Sequence, residues 1–292
     1  MRGLLDDVPL GGRRPCLLFV HAHPDDETLT TGVSVAHHVA QGADVHVLTC
    51  TLGEEGEVIP TELAALEGDG PALAEHRRGE LAAAAAALGA THHLLGADRP
   101  GDPPAFRDSG MAGSAAAAHP RAFAGVPLEE AADAVRAVVE RVRPDVVVSY
   151  DAGGGYGHPD HVRAAAATRH AVAALPKGCR PVLHGVLVPA TWAEEDRQWL
   201  VRHVPEDGEW TVPGAGTTYA ANVVPDEVVT TAVVDHGVLA AQVQALRAHH
   251  TQVVVGDGWY ALSNRFVFRL AGREGFARLD PTTGSPVPEG AA

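Results

Sequence analysis

Cysteine is scarce in this chain: Cys16, Cys50 and Cys179 are the only three in 292 residues. None forms a CxxC spacing, so neither a disulfide scaffold nor a thiolate zinc site is indicated, and a reducing cytoplasm fits best. Cys16 and Cys50 fall in predicted buried strands, where cysteine behaves as a small hydrophobe. Positive charge is also short, with 22 Lys and Arg against 37 Asp and Glu for a net −15. That balance disfavours nucleic acid or an anionic membrane as the main partner. No run of about eighteen apolar residues passes without polar interruption, so no membrane span is expected. Residues 1–14 carry two early aspartates and no long apolar core, which does not read as a signal peptide. No GxGxxG follows the first strand, so the chain lacks the glycine fingerprint of a nucleotide-binding oxidoreductase.

What is present is an ordinary soluble composition, 46% hydrophobic and 20% charged. Apolar strands are predicted at 16–21, 44–50, 92–95, 145–150 and 183–189. Helices at 28–41, 73–88, 128–141 and 159–175 alternate with them, punctuated by Gly42, Gly89 and Pro144. Near-continuous apolar strands alternating with helices predict an α/β fold, a Rossmann-like doubly wound and mostly parallel sheet. Beyond Trp192 the pattern weakens to a strand at 230–234, a helix at 235–250 and a strand at 266–270. The expected division is a metal-binding catalytic core over 15–190, a smaller C-terminal portion over 191–271 completing the same domain, and a disordered tail over 272–292. Residues 96–127 are rich in Gly, Pro and Ala, and a connection of that length tends to be functional or disordered.

Two tetrapeptides carry the chemistry: His23-Pro24-Asp25-Asp26 and His158-Pro159-Asp160-His161. Each follows an apolar strand and opens a helix. A parallel sheet gathers such distant strand ends, and ligands collect beyond the carboxyl ends of its strands. One HPDD alone reads equally well as a turn whose aspartate caps a helix; its recurrence at two strand ends favours a metal centre. His23, Asp26 and His161 then form a His2Asp set with an open position for water. Asp25 remains as an unligated carboxylate suited to act as general base. His158, as an imidazolium, would stabilise the oxyanion and protonate the departing amine, with Asp160 holding its orientation. Tyr156, after Gly153-Gly154-Gly155, would swing its hydroxyl toward the oxyanion. The adjacent pairs His37-His38, His92-His93 and His249-His250 diverge on any regular element and read as surface or core histidines. Imidazole and carboxylate suit Zn2+, and Fe2+ as well.

The segment Leu18-Phe19-Val20-His21-Ala22-His23-Pro24-Asp25-Asp26-Glu27 resembles the signature of the LmbE-like, PIG-L-type zinc N-acetylglucosamine deacetylases. Residues 49–57, 77–81, 107–113 and 150–161 resemble the branch of that family that acts on N-acetylglucosaminyl-inositol in mycothiol biosynthesis. The resemblance spans most of residues 15–270. It implies zinc on His23, Asp26 and His161, with Asp25 as base and His158 and Tyr156 serving oxyanion and leaving group. It also turns Arg77 and Asp108 into contacts for sugar hydroxyls. Without it, Arg77 reads as a surface pair with Glu80 and Asp108 as a turn residue. Glu54, Glu55 and Glu57 shape the mouth of the site or form a solvated acidic loop, and Gln252 is of the same kind.

The expected function is therefore a cytoplasmic metal-dependent hydrolase of a small amino-sugar inositol substrate. Mycothiol S-conjugate amidase is the neighbouring reading, and Thr30, where those amidases have Lys, leans away from it. A sugar-binding protein without turnover is a third reading, against which Asp25 speaks.

Overall fold

The computed structural model describes residues 2–287 except 7, 98, 100, 206, 207 and 215. Strands β1 (Cys16–His21), β2 (Asp44–Thr49), β3 (Thr91–Leu94), β4 (Val146–Tyr150) and β5 (Val182–Pro189) are connected through α1 (Asp26–Ala40), α2 (Gly70–Leu88), α3 (Leu128–Val142) and α4 (Pro159–Ala174). Each lies within three residues of its predicted bounds. Then follow α5 (Ala190–His203), β6 (Val223–Val224), β7 (Thr231–Val234), α6 (Leu239–Ala248), β8 (Val254–Val255), β9 (Trp259–Ala261), β10 (Val267–Arg269) and β11 (Arg273–Leu279).

The main sheet runs β3-β2-β1-β4-β5-β11-β7, with β6 attached to β5, and β8 to β10 form a small second sheet. Pairings from β3 through β5 are parallel, whereas β11 is antiparallel to both its neighbours. Alternation along β1 divides the core between two faces. Leu18 and Val20 pack with Val135, Val139, Val147 and Ala164 on the α3/α4 side. Leu17 and Phe19 pack with Val33, Val45, Val148 and Phe276 on the α1 side. Burial on both faces is why these strands read as unbroken apolar runs.

Strand order reverses at β1, since β2 and β3 lie on one side of it and β4 and β5 on the other. The connections leaving the carboxyl ends of β1 and β4 therefore diverge and open a crevice between them. Both histidine tetrapeptides lie in it.

Two expectations are corrected. Arg273–Leu279 is a strand inside the main sheet, with Phe276 and Ala277 fully buried, so the disordered tail does not begin at 272; residues 288–292 lie outside the described residues. The helix Ala190–His203 goes unpredicted because its sequence is polar, burying only Arg197 and Leu200. Within the 96–127 connection, Arg107 N–H donates to Arg121 O at 2.8 Å and its carbonyl accepts from Phe123 N at 2.9 Å. Among the described residues, no helix is long and apolar enough to cross a membrane.

Strand β11 also reaches α1 through Glu274, whose carboxylate accepts the N–H groups of Val33 and Ser34 at 2.8 Å each. Burial outweighs those bonds and raises its carboxyl from 4.5 to about 7. A raised acid pKa means the folded state binds the extra proton, so this contribution is complete below pH 4.5 and fades as pH rises through about 7. Urea unfolding between pH 4.5 and 7.5 is expected to show that decline, and Glu274→Gln to flatten it. An unchanged slope in the variant would place the decline elsewhere.

Candidate active site

At the end of β1 the chain turns sharply into α1. Asp25 sits at the helix N-terminus with φ of 104°, a conformation unfavourable for a side chain with Cβ. Such a residue persists only when its surroundings over-determine it. Here its N–H donates to Glu27 Oε2 at 3.0 Å, and its carbonyl accepts from Thr28 N and Leu29 N at 2.9 Å. Glu27 is wholly buried and receives His249 Nε2 at 2.7 Å and the Thr28 hydroxyl at 2.5 Å. Burial opposes charge on Glu27, yet His249 prevails and holds the carboxyl at about 2. His249 in turn is raised by Glu27 against its own burial. His249 is a core histidine, as expected, and it also anchors the turn through Glu27.

Arg77 holds the other side of the turn. Its Nη2 donates to Pro24 O at 2.5 Å and lies 3.3 Å from Asp25 Oδ2, while Nη1 donates to Gly53 O at 2.8 Å. A Cβ on Gly53 would fall 1.9 Å from Nη1, so the guanidinium needs glycine there. The Arg77 side chain is 3% exposed. It does not pair with Glu80, which accepts Thr251 N and Oγ1 at 2.7 Å each.

Three atoms converge beyond this turn. His23 Nδ1 lies 3.4 Å from Asp26 Oδ2, His161 Nε2 lies 3.3 Å from the same oxygen, and the two nitrogens are 3.3 Å apart. A tetrahedral ion bound about 2.0–2.1 Å from each ligand sets its ligand atoms roughly 3.3–3.4 Å apart. The expected metal triad thus has the edge lengths of a tetrahedral face. Asp26 Oδ2 also accepts the Tyr150 hydroxyl at 2.7 Å and His23 N at 2.9 Å. The Tyr150 ring stacks on His161 at 4.3 Å, which fixes that imidazole.

The far nitrogen of His23 faces two more carboxylates, Asp160 Oδ2 at 3.3 Å and Asp108 Oδ1 at 3.4 Å. Burial alone would lower the His23 pKa, but Asp108, Asp160 and Asp26 raise it well above its usual value. Three buried carboxylates around two imidazoles make a donor set suited to a dication. One placement differs from expectation. The Asp160 carboxylate orients His23, not His158, and accepts Ser109 N at 2.9 Å. Asp108 accepts Gly110 N at 2.8 Å and stands beside His23, with 4% exposure.

His158 packs edge-on against His23 at 4.7 Å, and its Nδ1 accepts Asp160 N at 3.2 Å. Burial, then His23 and His161, push it down to about 4, so it stands neutral at pH 7 rather than as an imidazolium. With Nδ1 an acceptor, the neutral ring carries its proton on Nε2. Tyr156 is 63% exposed on the glycine loop, its ring 5.0 Å from that of His161. Asp25 is raised by burial to about 6, against the pull of Arg77. Glu54, Glu55 and Gln252 knit the rim: Glu54 accepts Asp108 N at 3.0 Å, Glu55 pairs with Arg107 at 2.7 Å, and Gln252 donates to Glu57 O at 2.9 Å.

Residues 18–172 match the PIG-L family, described as GlcNAc-PI de-N-acetylase. The chain belongs to this family. Its curated relatives agree in length as well as sequence. It is 44% identical over 287 residues to 1D-myo-inositol 2-acetamido-2-deoxy-alpha-D-glucopyranoside deacetylase of Rhodococcus erythropolis, covering 94% of this chain and 93% of that one. The protein of the same name from Rhodococcus opacus is 47% identical over 265 residues, covering 85% and 86%. In fold, this PIG-L member is similar to a deacetylase of teicoplanin biosynthesis with a TM-score of 0.52 at 19% identity, over 91% and 99% of the two chains. PIG-L deacetylases are metal-dependent hydrolases of amides.

The buried Glu27–His249 pair makes a stability prediction. His249→Ala strands the Glu27 charge and is expected to cost about 3–5 kcal/mol in urea unfolding. Adding Glu27→Gln should recover part of that loss; no recovery would mean the cost comes from packing.

Proposed function

We propose that this PIG-L member is a zinc amidohydrolase that removes acetate from 1-O-(2-acetamido-2-deoxy-α-D-glucopyranosyl)-1D-myo-inositol in the cytoplasm. The observation that carries the reading is the triangle of His23 Nδ1, Asp26 Oδ2 and His161 Nε2, with the free carboxylate of Asp25 beside it. The names of relatives at 44–47% identity supply the substrate. His23, Asp26 and His161 would hold the ion; bound there, it would polarise the acetamide carbonyl and acidify water.

The protein's own groups account for the proton movements. Asp25 takes the proton of the attacking water, and its raised pKa leaves it both ionised and usefully basic near pH 7. The protonated carboxyl then stands ready to return that proton to the departing amine. His158 donates Nε2–H to the carbonyl oxygen as negative charge builds there, which a neutral imidazole held by Asp160 N can do without being cationic. Tyr156 supplies a second donor from its exposed loop. Asp160 and Asp108 accept from His23 and keep Nδ1 turned inward. Arg77 keeps Asp25 in place, and Arg77 and Asp108 are the residues read as contacts for sugar hydroxyls.

The experiment is amine release by zinc-loaded protein from N-acetylglucosaminyl-inositol, set against a mycothiol S-conjugate at equal concentration. Faster turnover of the inositol sugar is expected, whereas preference for the conjugate would move the chain to the amidase branch. Fe2+ loading compared in parallel decides the metal. Asp25→Ala should retain the ion while kcat falls by about 10²–10⁴. His161→Ala should lose the ion as well, read by metal content after gel filtration. Full activity in Asp25→Ala would refute the base assignment.

A further inference from the structure

At the opposite end of the sheet a second group of donors meets. Cys16 opens β1 and Asp44 opens β2, and the parallel register sets them directly opposite. His46, two residues beyond Asp44, falls on the same face by strand alternation. Ligand atoms of Cys16, Asp44 and His46 all lie within 4.8 Å of one another, and the three residues are part-buried. His46 Nε2 is 3.5 Å from Asp44 Oδ2.

The other nitrogen of His46 is already committed. Its Nδ1 lies 3.0 Å from His93 Nε2 on β3. In the tautomer with its proton on Nδ1, His46 donates to His93 Nε2. That bond leaves the His46 Nε2 lone pair turned toward Asp44 and Cys16. A hydrogen bond at one imidazole nitrogen that orients the other is the usual support of a metal-ligating histidine.

Nearby cations are spent elsewhere. Arg13 pairs with Asp145, and Arg14 donates to the carbonyls of Gly42 and Ala43. Among the described residues, no arginine or lysine forms an ion pair with Asp44. The thiol of Cys16 donates to Val142 O at 3.9 Å. A dication bound there would take Cys16 as thiolate, with release of the thiol proton.

We propose that Cys16, Asp44 and His46 form a second divalent-cation site, for Zn2+ or an ion of like softness, on the amino-terminal edge of the sheet. Thiolate, imidazole and carboxylate are the donors zinc takes, and three of them leave a fourth position for water. Strand β1 separates this site from the catalytic one by about 16 Å of extended chain. The two sites share no residue, and the proposal stands whatever substrate the catalytic site takes.

Metal-free full-length protein, kept reduced, is titrated with Co2+ and followed by calorimetry and by near-ultraviolet absorption. Two equivalents are expected, one of which brings a thiolate-to-cobalt charge-transfer band. Cys16→Ser should abolish the band, and Asp44→Asn, at a half-exposed carboxylate, should weaken that equivalent roughly tenfold or more. His161→Ala should remove the other equivalent and leave the band, and Cys179→Ser should leave both. A single equivalent with no band in the unaltered protein overturns the proposal, as does a band that survives Cys16→Ser or an Asp44→Asn variant with unchanged affinity.

Discussion

Asp26 Oδ2 takes the Tyr150 hydroxyl from the end of β4 and the main-chain N–H of His23 from the end of β1. One carboxylate oxygen therefore ties together the two strand ends at which the sheet reverses direction. Tyr150 also accepts Ala22 N at 2.9 Å, so the tie is a short closed network and not a single bond. In a buried setting a network with every member satisfied is rigid, and a partly satisfied one is costly. The proposed metal triad inherits its geometry from this. His23 is placed by its own backbone, His161 by stacking on Tyr150, and Asp26 by both strands. Remove the hydroxyl of Tyr150 and all three ligands lose a common reference.

The same turn carries a strained residue, and the fold supports it from distant parts of the chain. Asp25 at φ 104° is held on one side by Glu27, locked by His249 from the end of α6, and on the other by Arg77 from α2. α2 and α6 pack on each other, and Glu80 of α2 receives Thr251, two residues after His249. The C-terminal elements thus reach Asp25, the proposed base, through a chain of buried hydrogen bonds, although they contribute none of the proposed metal ligands. Strain of this kind at a functional residue is affordable where several independent contacts insist on it.

The first two thirds of the fold were legible because a sheet covered on both faces needs apolar strands, and helices between them announce their ends with Gly and Pro. The C-terminal third was less so. α5 hides a small buried face in a polar sequence, and β11 follows Gly272 with only a brief apolar run around Phe276, so neither has a strong period to read. Within the site, residue types and spacing located the convergence of His23, Asp26 and His161. They could not locate partners. Asp160 was paired with His158 because the two are close in sequence, yet the helix start turns its carboxylate across the crevice to His23. Nothing local shows that Arg77 would find the carbonyls of Pro24 and Gly53. His249 gave no local signal at all, since its partner Glu27 lies 222 residues earlier.

Charge distribution explains why the roles within the crevice differ although the residues are alike. His23 has three carboxylates about it, whereas His158 has its backbone-fixed Nδ1 and two imidazoles as its nearest ring neighbours. The first environment stabilises positive charge and the second repels it. A ligand position needs the former, because an ion replaces the proton that the carboxylates would otherwise retain. A donor to a developing oxyanion needs the latter, because a neutral ring with its proton on Nε2 has a hydrogen to give and no bound counter-ion to surrender. Asp25 and Asp26 divide in the same way. Adjacent in sequence, they differ because His161 and His23 hold Asp26 ionised while burial leaves Asp25 near neutrality of its proton affinity with the medium. Two aspartates and two histidines in one small crevice are thus suited by placement alone to the proposed roles of ligand and base, ligand and donor.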